Sequence, residues 1–191
     1  MRRSLLAISL SLLTLILVGC AQKEAPPPPP KPVVPAFQVF KSPKGEFEIT
    51  YAPASWEVEN DTSVALSLKH KTEDAIIQLV VSDLGGKVTK SALKMFADMT
   101  LSGVKESSKD FKEVGKADTT FAGQPAHEVV ITTTEEGKAM KMKMLFFASE
   151  GKAYAFIVGG GAEVYDKLAP DIEKTLNSFK LVAAEPAKLP Q

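Results

Sequence analysis

Five consecutive prolines, Pro26 to Pro30, followed by Pro32 and Pro35, constrain this chain more than any other feature. Each ring fixes φ at about −65° and removes a backbone donor, so neither a helix nor a sheet ladder can run through the segment. The expectation is an extended polyproline II stretch rising about 3.1 Å per residue. Folding must therefore happen on one side of it or the other. On the long side, residues 37–182 carry enough Val, Ile, Leu, Phe and Met to bury a core without cross-links. On the short side, Arg2 and Arg3 precede an apolar run from Leu5 to Val18 that closes on Leu17-Val18-Gly19-Cys20.

That run of about 14 residues is short of the roughly 20 that cross a bilayer as a helix, and it fits the apolar region of a secretory leader. Its end resembles the lipobox of bacterial lipoproteins, where cleavage requires a small residue before the cysteine and a diacylglyceryl group alkylates the thiol. The resemblance implies a signal peptide at 1–19, Cys20 as the lipidated first residue, and a proline-rich tether over 20–36. Each buried acyl CH₂ contributes about 0.8 kcal/mol and one chain anchors only marginally, so several chains would make the attachment durable. Ser4-Leu5-Leu6 lacks the surroundings of a twin-arginine signal, which leaves an ordinary positive n-region. Ala21 stands where an aspartate would resemble an inner-membrane retention signal, favouring the outer membrane, facing the periplasm, in a Gram-negative cell. Cys20 is the only cysteine, so acylation leaves the exported domain without thiol or disulfide. Residues 183–191, with Pro186 and Pro190 and no apolar period, read as a frayed tail.

Charge narrows the partners. The chain holds 23 basic and 23 acidic residues, and losing Arg2 and Arg3 leaves 21 against 23, a charge of −2. A balance so near neutrality argues against nucleic acid or an anionic membrane surface as the main partner.

Within 37–182 the hydrophobic period alternates between two values. Phe47, Ile49 and Tyr51 alternate with Glu46, Glu48 and Thr50, and after Pro53 the pattern resumes at Trp56-Glu57-Val58, with Trp56 expected as a buried wedge. Val64–Leu68 and Ala75–Val81 read as further strands joined by a polar turn carrying a solvated His70. Leu93, Phe96, Ala97, Thr100, Leu101 and Val104 then form one face of a core-packing helix. Phe121–Pro125 is a turn, after which long strands flank Glu136-Gly137 and another begins after Glu150-Gly151; Gly supplies the positive φ that such tight hairpins require. The last stripe, Tyr165, Leu168, Ala169, Ile172, Leu176 and Phe179, is interrupted by Pro170, which predicts a kink or a helix restart. Strands with a helix in the middle and another at the end imply an α+β fold, an antiparallel β-sheet flanked by helices.

Three stretches carry a resemblance. Phe47–Val58 looks like the opening "F-x-I-x-Y-P-x-x-W-x-V" strand pair of PsbP-like domains, with Ala52 inserted before the proline. Thr119–Ala126 is similar to their central turn into a long hairpin, and Ile172–Phe179 to their closing helix. The resemblance to this PsbP/Mog/DcrB superfamily implies an α/β/α sandwich used as a protein-binding accessory module, with an envelope protein as partner and no cofactor. It brings no shared catalytic set.

The residues themselves argue against an enzyme. There is no Gly-x-Ser-x-Gly elbow, no His-Glu-x-x-His and no cysteine nucleophile, and His127 and Glu128, being adjacent in a strand, point to opposite faces. Gly159-Gly160-Gly161 lacks the remaining signature of a phosphate loop and reads as a flexible turn. A two-residue loop at Glu136-Gly137 would pair Ile131 with Met142, Val129 with Met144 and His127 with Phe146. One face would then carry His127, Met140, Met142 and Met144, opposite Lys141 and Lys143. Imidazole with thioethers is a soft set suited to Cu(I) or Ag(I), so His127, Met142 and Met144 form the alternative, a small-ligand or copper-binding module. The competing expectation is that the methionines lie under a helix as core while the two lysines point to water.

Overall fold

The computed structural model describes residues 35–182. Cys20, the leader, most of the tether and the tail lie outside the described residues.

Ten strands and two helices follow the order β1 Gln38–Lys41, β2 Phe47–Tyr51, β3 Trp56–Val58, β4 Leu66–His70, β5 Ala75–Asp83, α1 Lys90–Ser107, β6 Lys109–Phe121, β7 Gln124–Glu135, β8 Lys138–Ser149, β9 Lys152–Gly161, α2 Ala162–Asn177 and β10 Lys180–Leu181. A seven-stranded sheet has the order β3-β4-β5-β9-β8-β7-β6, antiparallel throughout, and a smaller sheet has the order β1-β2-β10. This is the α+β architecture that the alternating periods predict.

The meander from β6 to β9 is made by one device used three times. Ala122-Gly123, Glu136-Gly137 and Glu150-Gly151 each place two successive residues at positive φ, the backbone of a type I′ turn, whose twist matches that of the strands it joins. The middle turn sets the expected register: Ile131 opposite Met142, Val129 opposite Met144, His127 opposite Phe146. β6 is an addition that the hydrophobic pattern does not show. It is an edge strand with almost every side chain exposed, register shifts at Lys109/Lys112 and Glu113/Gly115, and Asp110 at φ 52°, features that discourage pairing with another chain.

Alternation along the strands gives the large sheet two apolar faces. One face meets α2 and the small sheet over a core of Phe47, Trp56, Leu68, Ile77, Phe147, Phe156, Ile172 and Phe179, all buried. Here Phe147, Phe156 and Phe179 stack or meet edge to face, with centroids 5.1 to 6.4 Å apart. The other face meets α1 over Val129, Ile131, Met144, Phe146 and Ala155. Of α1 only Ala97 is fully buried, while Met95 and Met99 on its outer side are 62% and 67% exposed.

Four expectations are corrected. His70 is not a solvated turn residue but the buried end of β4, because pairing with β3 puts Trp56 directly opposite and the two rings meet edge to face at 5.0 Å. Gly159 to Gly161 are strand, not turn: a Cβ on Gly159 would come within 2.7 Å of Met142 Cγ, and one on Gly160 would collide with the Asp74 carbonyl. Pro170 does not restart the last helix as a separate element; α2 is continuous around it, with Pro170 exposed where only the Asp166 carbonyl loses its helical donor. Lys141 and Lys143 do not point to water. Their face of β8 is covered by α2, which supplies carboxylates to meet them.

Candidate functional site

Each helix makes a different kind of site with the sheet beneath it. Under α2, Lys143 is nearly enclosed, and its ammonium meets Glu128 of β7 at 2.9 Å and Glu173 of α2 at 2.8 Å. Burial opposes its charge, but the hydrogen bonds and fields of Glu173 and Glu128 outweigh burial and raise its pKa above the ordinary lysine value. Next to it Lys141 reaches Asp166 at 2.6 Å and lies 5.2 Å from the centroid of the Tyr165 ring. Burial pushes the Tyr165 hydroxyl upward as well. Every charge in this row has a partner, so it fastens α2 to the sheet and leaves no group free for a ligand or a proton.

On the α1 face, β7 and β8 bring His127, Met140, Met142 and Met144 to the same side of the sheet, as the side-chain period requires. Met144 is fully buried among Val129, Phe146 and Ala97, and Met142, half-buried, fills the space left by Gly159. His127 turns the other way, toward the edge, and its Nδ1 pairs with an Asp118 carboxylate oxygen of β6 at 2.8 Å. The thioethers pack, and the imidazole is held by a carboxylate. Among the described residues no group of three or more His, Cys, Asp or Glu side chains is placed to hold a metal ion.

Where β6 and β7 run past the first turns of α1, a groove opens. Lys90, Lys94 and Lys116 form its rim with Asp118 and His127, and Leu93 and Pro125 its floor. The Asp118 carboxyl is held below the usual range, first by the hydrogen bond from His127 and then by the positive fields of His127, Lys90 and Lys116. Nothing in the apolar periodicity announces this groove, because β6 carries no such pattern. The available signal was the i, i+4 spacing of Lys90 and Lys94 on a predicted helix.

The second histidine is structural. Its Nδ1 accepts the N–H of Glu73 at 3.1 Å and of Thr72 at 3.4 Å, which leaves the ring proton on Nε2 and ties the β4–β5 turn to the Trp56 ring. His70 and His127 sit on opposite faces of the large sheet.

No protein-family model matches this chain, and no curated protein matches it in sequence. Its fold is nonetheless shared. The solution structure of cyanobacterial PsbP (CyanoP) from Synechocystis sp. PCC 6803 superposes with a TM-score of 0.62 at 12% identity, covering 78% of this chain and 94% of that one. LpqN, described as involved in cell envelope biogenesis of Mycobacterium tuberculosis, gives a TM-score of 0.58 at 13% identity, covering 76% and 90%. The Ran-binding protein Mog1p of Saccharomyces cerevisiae gives 0.53 at 6% identity, covering 76% and 95%. At such identities the likeness is one of fold, a PsbP-like domain, and the α+β sandwich expected from the strand and turn motifs is the one observed.

Proposed function

We propose that this chain is an envelope lipoprotein whose PsbP-like domain works as a non-enzymatic binding or accessory module for another envelope protein. The observation that carries the reading is the fold likeness to three proteins, two of which are described by a partner or a process, Ran binding and cell envelope biogenesis. At 6% to 13% identity the scaffold persists while most residues differ, and one fold commonly hosts unrelated sites. The histidines support the same reading: His70 is committed to backbone donors and His127 to Asp118, on opposite faces. Attachment would come from an acylated Cys20, since no described helix is long and apolar enough to cross a membrane. An outer-membrane position facing the periplasm follows from Ala21 in a Gram-negative cell.

Two measurements test the reading. The mature protein carrying Cys20→Ser, without residues 1–19, should move from the detergent phase to the aqueous phase in a partition experiment; retention like that of wild type removes the lipid anchor. Cross-linking in intact cells, followed by purification of the full chain from membranes, should recover a reproducible envelope protein. Recovery of the chain alone under several cross-linker lengths counts against the accessory role.

A further inference from the structure

We propose that the groove between α1 and the β6–β7 hairpin binds a small organic anion, a carboxylate or phosphate monoester carried on an apolar body. The groove has a volume of about 360 Å³, within the range of sites that enclose small molecules. Its floor is apolar: Leu93 from the helix and Pro125 from the start of β7. Its rim is cationic. Lys90 and Lys94 stand one turn apart on α1, and Lys116 reaches the same opening from β6.

What marks these lysines is that all three line one opening and none has a carboxylate partner among the described residues; Lys105 and Lys112, also without an ion pair, do not line it. Lys41, Lys69, Lys141, Lys143, Lys152 and Lys167 each pair with a carboxylate, whereas Lys90, Lys94 and Lys116 form no ion pair among the described residues. Asp118, the one carboxylate of the rim, is engaged by His127 at 2.8 Å. Three unpaired ammonium groups around one opening repel each other, and an anion placed between them removes that repulsion. The first turn of α1 adds to the field: its N-cap is Thr89, and no acidic residue offsets the positive end of the helix there. Cationic rim and apolar floor together select an amphipathic anion over a bare phosphate, which would leave Leu93 and Pro125 in water, and over an apolar cation.

The test is calorimetric titration of the full chain carrying Cys20→Ser, so that no acyl group competes, with octyl phosphate and octanoate below their micellar concentrations. One molecule per chain should bind, and Lys94→Gln with Lys116→Gln should weaken binding by about tenfold or more. These lysines are exposed, so the variant keeps its fold, which circular dichroism verifies. Octylamine should fail to bind, and inorganic phosphate should bind far more weakly than octyl phosphate. Octylamine binding as well as octyl phosphate would reduce the groove to an apolar patch, and equal affinity for inorganic phosphate would remove the role of the floor. Affinity unchanged in the double variant also overturns the proposal. So does lysine-dependent binding to dioleoylphosphatidylglycerol vesicles without binding of either free amphiphile, an outcome that assigns the rim to a membrane surface.

Discussion

The two faces of the large sheet are built to different standards. Beneath α2 the core is aromatic and closed, with Phe47, Phe147, Phe156, Phe179 and Trp56 buried and the lysines that fall on this face paired with carboxylates. Beneath α1 the core is smaller, with Phe146 as its one fully buried ring: one helix residue is buried, two methionines face outward, and the lysines at the edge have no partners. Stability in such a sandwich concentrates on the face where burial is complete, which leaves the other face free to vary its surface and open a groove. One sheet thus separates what holds the fold from what a ligand can meet.

The strongest way to break this contrast is to truncate equivalent positions on the two sides. Phe147→Ala should lower unfolding free energy by about 3 to 5 kcal/mol, and Leu93→Ala by only about 1 kcal/mol, since Leu93 is half-buried at the groove. Chemical denaturation of both variants checks the ranking; equal losses would show that α1 holds the fold as firmly as α2. In wild-type protein the amides of α1 should exchange with deuterium faster than those of α2.

Next in size is the charge cluster under α2. Lys143→Met should cost about 2 kcal/mol at neutral pH, because Glu128 and Glu173 then face each other without the ammonium between them. The pH dependence has a definite sign. Lys143 has a raised pKa in the folded state, so its contribution is complete below about 10.4, the unfolded lysine value, and disappears as pH rises through the folded one. Tyr154 and Tyr165, raised chiefly by burial on the same face, also hold their protons more tightly when folded, which again favours the fold until alkaline pH. Melting temperature should therefore fall steeply above about pH 10, and Lys143→Met with Tyr165→Phe should flatten that fall. The same curve, unchanged in the double variant, would place the alkaline weakness elsewhere.

A smaller effect has the opposite sign. Pro170→Ala restores a donor for the Asp166 carbonyl on the exposed side of α2, and should stabilise by about 1 kcal/mol after the looser unfolded chain is counted. Thermal denaturation measures it, and a loss would mean that the ring stiffens α2 in a way that alanine does not. Smallest of all should be Met142→Leu with Met144→Leu, within about 1.5 kcal/mol, since volume is nearly conserved and the thioethers serve as packing. A large loss in the same denaturation assay would sharpen the picture of α1 by showing that its contacts need the flexible side chain.

These particulars also show where sequence reasoning holds. The β7–β8 register was legible because Glu136-Gly137 is a local turn signal and side chains alternate with a fixed period; once the loop length is known, every pair follows. What escaped depends on distant chain. His70 is buried by Trp56 across a strand pair, Gly160 is required by the Asp74 carbonyl, and Lys143 is enclosed because α2, thirty residues on in the case of Glu173, lies over it. β6 escaped for another reason: with solvent on nearly every side chain, an edge strand has no apolar period to read. The groove shares that cause, since two of its five rim residues, Lys116 and Asp118, come from β6.

The small sheet bears on how the molecule is made. In the β6–β9 meander each strand pairs with its neighbour in sequence, so closing those loops is fast, whereas β2 is completed only when Lys180 and Leu181 pair with Glu48 and Phe47, across most of the domain. Ser178 tightens the same junction, accepting the Thr50 N–H at 2.8 Å. A growing chain can thus form its meander early but cannot seal the aromatic core until its last strand has been synthesised.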